Sequence, residues 1–205
     1  MRRDRILCAF AAIVLVASLA GCGGNSWSFD FKKEADLAAF PKVMICSPFR
    51  WDRSILGIEL DGYAFFGPYY YMGDLTMTVK FNLLTDSVNT ADVKLGLFSE
   101  PSPLPEDFVG VYCQKLGNDG AVEIYMAEGA DMDIRLIAGN QPGYNKSGAN
   151  TIKIVRKGNN YSATLNGSLI ARFDANYCSP EQLYPWMFSS SEGGKVYITS
   201  IKVDY

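Results

Sequence analysis

Two glutamates five residues apart, in Glu123-Ile124-Tyr125-Met126-Ala127-Glu128, are the first candidates for chemistry. Paired carboxylates flanking a glycosidic bond are what hydrolysis of a sugar linkage needs. Side chains alternate along an extended strand, so Glu123 and Tyr125 share a face, and Glu128 joins them only through a bulge. The competing reading is two solvated glutamates at a strand end, just before Gly129-Ala130.

A second set of residues suits holding a sugar without cutting it. Sugar rings present C–H faces that pack on aromatic planes, while their hydroxyls need fixed polar partners. Trp51 and Arg53 would point to one face, and Tyr70, Tyr125 and Trp186 add rings. Taken singly, each aromatic residue has a core role as its simplest explanation. As a set, some are expected on a concave face. Arg135 belongs with them, on one strand face with Asp131 and Asp133. Two aspartates are too few oxygens to argue for calcium. A solvated face with cross-strand ion pairing is the reading adopted, and no metal is expected.

Several chemistries are excluded by what is missing. The chain contains no histidine. Ser-His-Asp hydrolases, His-paired cysteine nucleophiles and HExxH zinc sites are therefore out of reach. Neither GxxxxGK[ST] nor GxGxxG occurs, so no nucleotide or other cofactor is expected.

Those residues must be positioned by one domain, because 205 residues suit one sizeable core. The first segment lies outside it. Met1 to Arg5 is basic, and Ile6 to Ala20 is an apolar run of the length of a secretory signal, short for a transmembrane helix. Leu19-Ala20-Gly21-Cys22 follows. It resembles the lipobox of bacterial lipoproteins. The resemblance implies cleavage before Cys22 and diacylation of its thiol, which would anchor the mature protein to a membrane. Residues 1–21 are then the signal, 22–28 a lipid-anchored flexible tether, and 29–205 the domain. Gly23 stands where an aspartate would resemble an inner-membrane retention signal, so export to the cell envelope, at an outer membrane where two exist, is expected.

The formal charge is −3; loss of residues 1–21 removes three arginines and one aspartate, leaving 16 basic and 21 acidic residues, a balance of −5. A mildly acidic domain without a basic run is not built for nucleic acid. Cys46, Cys113 and Cys178 remain in the domain. Export permits a disulfide, but three cysteines leave at least one unpaired, and spacing does not choose the pair.

The dominant period of the domain is two. Thr76 to Leu83, Asp92 to Leu97 and Tyr161 to Leu165 alternate apolar with polar residues, the pattern of strands with one face on a core. Near the end, Ile201, Val203 and Tyr205 oppose Ser200, Lys202 and Asp204, but apolar residues occupy both faces near Val196. Gly, Pro, Asn and Asp clusters separate the runs, which points to an all-β antiparallel sandwich. Asn166-Gly167 predicts a two-residue type I′ hairpin turn. Alternation across it sends Tyr161, Ala163 and Leu165, then Leu169, Ala171 and Phe173, to one core face. Short helices are expected at Lys32 to Phe40 and, as a single turn, at Ser179 to Gln182.

Four pieces carry a resemblance to a known superfamily. They are Phe29-Asp30-Phe31-Lys32-Lys33 running on to Phe40, the strand Gly73-Asp74-Leu75 to Phe81, the hairpin from Ile152 through Gly158 and Tyr161 to Asn166-Gly167, and the closing strand Val196 to Tyr205. Together they resemble the concanavalin A-like lectin/glucanase superfamily in its laminin G-like branches. The resemblance implies a two-sheet jelly roll. It also brings in laminarinase-type glycosidases, whose motif is E-x-D-x-x-E; here the central aspartate is Tyr125, which removes the carboxylate that sets the two pKa values apart. Three functions stay open. The leading one is a non-catalytic lipoprotein binding a glycan; the others are a glycan-processing enzyme using Glu123 and Glu128, and an adhesin or assembly partner binding proteins.

Overall fold

The computed structural model describes residues 25–40, 42–45, 49–66, 71, 73–85, 89–98, 108–116, 122–128, 135–138, 143–174, 184–189 and 192–205. Along the chain these form β1 (Ser26–Asp30), α1 (Glu34–Ala39), β2 (Lys42–Ile45), β3 (Arg50–Asp52), β4 (Gly57–Leu60), β5 (Gly62–Phe66) and β6 (Leu75–Leu84). Then come β7 (Thr90–Phe98), β8 (Phe108–Leu116), β9 (Val122–Glu128), β10 (Arg135–Ala138) and β11 (Asn150–Lys157). The chain closes with β12 (Asn160–Leu165), β13 (Ser168–Asp174), β14 (Tyr184–Ser189) and β15 (Lys195–Asp204).

Among the described residues the strands make two antiparallel sheets. Sheet A runs β13-β12-β11-β6-β15-β4-β3, with β1 also paired to β15; sheet B runs β10-β9-β8-β7-β14-β5-β2. The alternation in the sequence explains the layering. In β6, Leu75, Met77, Val79, Phe81 and Leu83 are buried while the residues between them are not. Val93, Leu95 and Leu97 of β7 answer from sheet B, all fully buried in the same core. Apolar area removed from water on both inner faces is what holds the layers together.

The expected first helix is present as the six residues of α1, where the Lys33 backbone N–H donates to Asp36 Oδ2 at 3.0 Å. That carboxylate satisfies an otherwise unpaired amide at the helix start. The single turn expected at Ser179 to Gln182 lies outside the described residues. Ser26 to Ser28, expected to be part of a tether, belong to β1 and pair with Lys202 to Asp204. The reason is aromatic packing. Trp27, Phe29, Phe31 and Phe40 form a chain of ring contacts, with Phe31 edge-on to Phe40 at 5.0 Å between centroids.

The hairpin at Asn166-Gly167 forms as expected, with φ of +49° and +88° at the two turn residues. Asn166 also does something that turn chemistry does not require. Its Nδ2 donates to the Gly143 carbonyl (2.7 Å) and to Asn150 Oδ1 (2.8 Å), and its Oδ1 accepts from the Thr151 N–H (2.7 Å). Asn150 is fully buried and donates in turn to the Asn145 and Gly148 carbonyls. At the other end of β11, Arg156 is 1 % exposed, and its guanidinium donates to the carbonyls of Gly73 (2.9 Å) and Gly158 (3.0 Å). Alternation with Ile152 and Ile154 puts this arginine at a core position, where its hydrogen bonds to carbonyls make burial tolerable.

One expectation for the hairpin is corrected. Leu169 is 52 % exposed and not on the core face. A bulge lies between the pairs Ala163↔Ala171 and Thr164↔Leu169, so Ile170 is an extra residue and the pleat changes side there. Cys113 faces the core as a fully buried free thiol, and burial holds its pKa far above the ordinary value. Cys46 and Cys178 lie outside the described residues.

A Cβ at Gly167 would meet nothing within 4 Å, so the cost of a side chain there is backbone strain alone. Gly167→Val is expected to destabilise the domain by about 1–3 kcal/mol, and Gly167→Asn by much less, both read from urea unfolding midpoints.

Candidate functional site

Sheet B presents its second face away from the core, and the parity of the buried residues says what lies on it. In β7, inward Val93 and Leu95 leave Asp92, Lys94 and Gly96 on the outer face. In β8, inward Val111 and Cys113 leave Gly110, Tyr112 and Gln114 there. In β14, inward Met187 leaves Trp186. The registers set these into rows: Trp186 opposite Gly96 and Gly96 opposite Gly110; then Lys94 opposite Tyr112, and Asp92 opposite Gln114.

The rows are tied diagonally. The Tyr112 hydroxyl donates to Asp92 Oδ2 at 2.9 Å, and the Lys94 ammonium lies 5.0 Å from the centroid of the Tyr112 ring. Asp92 is only 4 % exposed, so its carboxylate is held by neighbours and not by bulk water. A cation over a ring face is attracted by the ring quadrupole. The result is an acid, a phenol and an ammonium fixed relative to one another. Beside them Gly96 and Gly110 supply no side chains, and Trp186 stands in register with Gly96; all three are buried. Lys94, Tyr112 and Gln114 stay partly exposed, and their polar groups can exchange hydrogen bonds with hydroxyl groups.

Sequence-predicted residues fall on both sheets. Tyr125 and Trp186 lie in sheet B, with Tyr125 paired in register with Tyr112. Trp186 is only 6 % exposed. Arg135 begins β10 at the edge of the same sheet, paired with Met126. Trp51 lies in β3 of sheet A, half-buried against the core, and its indole N–H donates to the Phe31 carbonyl at 3.0 Å. Arg53 is exposed in the turn that follows, where the Asp52 carboxylate accepts from the Ser54 amide (2.7 Å) and hydroxyl (2.6 Å). Those bonds hold the Asp52 carboxyl below its ordinary pKa. No single face therefore collects Trp51, Arg53, Tyr125 and Trp186. Tyr70, Asp131 and Asp133 lie outside the described residues, as does Cys22.

Glu123 is the second and Glu128 the last residue of β9, opposite Gln114 and Val109. The register between β8 and β9 runs without a shift from Val122 to Glu128, so positions 123 and 128 fall on alternate sides of the pleat. The bulge that would unite them is absent from this ladder; the irregularity on β9's other side, between Leu136 and Ala138, belongs to β10. Among the described residues no group of three or more Cys, Asp or Glu converges as a metal site. The residues that sequence reasoning missed are Asp92, Lys94 and Tyr112. Their signal was present as the outward positions of an alternating strand, but alternation does not reveal which strand lies alongside.

Gly110 carries a sharp steric requirement. A Cβ there would sit 2.7 Å from the Leu95 carbonyl oxygen and 3.2 Å from Gly96 Cα, both backbone atoms. Gly110→Ala should cost about 1–3 kcal/mol through overpacking, measured as a lowered melting temperature.

No protein-family model and no curated protein sequence matches the chain. Solved structures do match in shape. The Emp46p carbohydrate recognition domain, in a single-residue mutant form, superposes with a TM-score of 0.62 at 11% identity, over 86% of this chain and 95% of that one. A Bacillus subtilis protein of unknown function with a galectin-like fold gives 0.58 at 9% identity, over 89% and 97%. The apo Crh5 transglycosylase gives 0.57 at 11% identity, over 89% and 88%. With its two antiparallel sheets and these similar shapes, the domain is a jelly-roll sandwich of the concanavalin A-like and galectin-like kind.

Proposed function

We propose that this is a membrane-anchored lipoprotein whose jelly roll binds a glycan outside the cytoplasm and does not cleave it. The observation that carries the binding reading is the outer face of sheet B. There Tyr112, Asp92 and Lys94 fix one another beside the side-chain-free strip of Gly96 and Gly110. Polar groups held in place around a partly exposed phenol ring suit the hydroxyls and ring faces of a sugar. The Emp46p domain of similar fold is named for carbohydrate recognition.

Cleavage finds less support in this chain. The transglycosylase of similar fold shows that the sandwich can host an enzyme, but fold does not carry function. Here Tyr125 stands at the motif's central aspartate, and the unbroken β8–β9 register separates positions 123 and 128. The anchoring reading rests on the lipobox resemblance at Leu19 to Cys22 alone. It places the domain at the cell envelope, on the outer membrane where there are two.

Titration calorimetry against a panel of polysaccharides should give dissociation constants between micromolar and millimolar for at least one. Tyr112→Phe and Lys94→Met should each weaken that binding about tenfold, the worth of one hydrogen bond to a charged or fixed group. Absence of binding across the panel overturns the reading, and release of reducing ends that disappears in Glu123→Gln replaces it with the enzyme. Anchoring is tested separately: Cys22→Ser should abolish metabolic fatty-acid labelling and move the protein out of the membrane fraction.

A further inference from the structure

We infer a second ligand site, on the outer face of sheet A at its β11–β12–β13 end, for a sugar that carries a single carboxylate. An open cavity of about 520 Å³ lies there, lined by Val155, Lys157, Asn160, Ser162, Arg172 and Asp174 among others. The volume falls within the range of small-molecule sites. The cavity is remote from Asp92, Lys94 and Tyr112, which belong to the other sheet.

Strand register builds it. Ile152, Ile154 and Arg156 of β11 point into the core, so Val155 and Lys157 point outward. Val155 pairs with Ser162 and Ser162 with Arg172, making one row across three strands; Lys157, Asn160 and Asp174 make the next row. Every position is therefore set by a sheet and not by a loop, which favours a reproducible geometry.

The charges then choose the ligand. Among the described residues neither Lys157 nor Arg172 has an ion-pair partner, and both are exposed. They stand in adjacent rows on one face, on β11 and β13 with β12 between them, so an anionic group over β12 can be met by both long side chains. The arginine fork matches a carboxylate with two parallel N–H bonds. Asp174 makes the lining one positive charge in excess, which suits a monoanion and penalises a phosphate dianion through like-charge repulsion. The Asn160 amide and Ser162 hydroxyl offer neutral donors and acceptors to sugar hydroxyls, and Val155 offers an apolar spot for a C–H face. A neutral sugar would leave both cations without a counter-charge.

Glucuronic acid, glucose and inorganic phosphate are titrated separately into the full chain in detergent, with amide chemical shifts and calorimetry as readouts. Glucuronate should shift amides of β11, β12 and β13 and bind at least tenfold tighter than glucose or phosphate. Its affinity should fall as salt rises. Lys157→Gln with Arg172→Gln should weaken it about tenfold or more at an unchanged melting temperature, while Arg172→Lys, which keeps charge and loses the fork, should weaken it less. Equal binding of glucose, tighter binding of phosphate, or indifference to the double variant overturns the proposal. The proposal stands apart from the glycan reading of sheet B, because Tyr112→Phe and Lys94→Met should leave glucuronate binding here unchanged.

Discussion

Backbone pairing along β15 is the constraint on which this sandwich depends. One side of that strand is paired with β6 almost throughout; the other is shared by β4, at Val196 to Ile198, and β1, at Ser200 to Asp204. Buried backbone groups must find partners, so three strands from distant parts of the chain converge on one. The pairing Ser26↔Asp204 joins nearly the whole length of the described chain. Such contacts close only after long loops have been ordered. The hand-over from β4 to β1 happens at Thr199, where the register against β6 shifts between Ile198 and Ser200. The Thr199 carbonyl accepts from the Phe31 N–H at 3.1 Å, its hydroxyl donates to the Lys80 carbonyl at 3.3 Å, and the chain turns without losing a partner.

With the sheets joined, their ends are closed by polar side chains acting on backbone carbonyls. Arg156 locks the turn before β6 to the turn between β11 and β12, an arrangement seconded by the Gly158 N–H donating to Asp74 at 2.8 Å. Asn150 and Asn166 do the same at the opposite end of β11. Buried polar groups add little net stability when fully paired, but cost heavily when mispaired. Their effect is to select one register among the several that an alternating strand would allow.

The outer faces follow from that selection and differ in character. On sheet B, glycines meet across β7 and β8 at Gly96 and Gly110, and the neighbouring acid, phenol and ammonium occupy one another. On sheet A, the face near β13 carries two cations against the one acid Asp174 in the lining of an open cavity. The two outer faces are thus unlike in electrostatics, with charges held against one another on sheet B and a net positive cavity lining near β13.

The sequence by itself determined what depends on neighbours along the chain. Alternation in Thr76 to Leu83 placed core and outer faces, and in Asp92 to Leu97 it placed the core face although Asp92 and Gly96 opposite are buried too, because a strand's side chains alternate whatever it pairs with. Asn166-Gly167 announced its turn, because positive φ restricts residue choice locally. The confused apolar pattern near Val196 was also real information, since a bulge at Thr199 reverses the pleat there. What depends on pairing across the chain was decided only by the tertiary structure. Ile170 became an extra residue and expelled Leu169; Trp51 went to sheet A while Trp186 and Tyr125 went to sheet B. Tyr112 found Asp92 twenty residues away, and Lys157 came into one cavity with Arg172. Register and strand order are properties of long-range hydrogen bonding and shared burial, and no local run of residues encodes them.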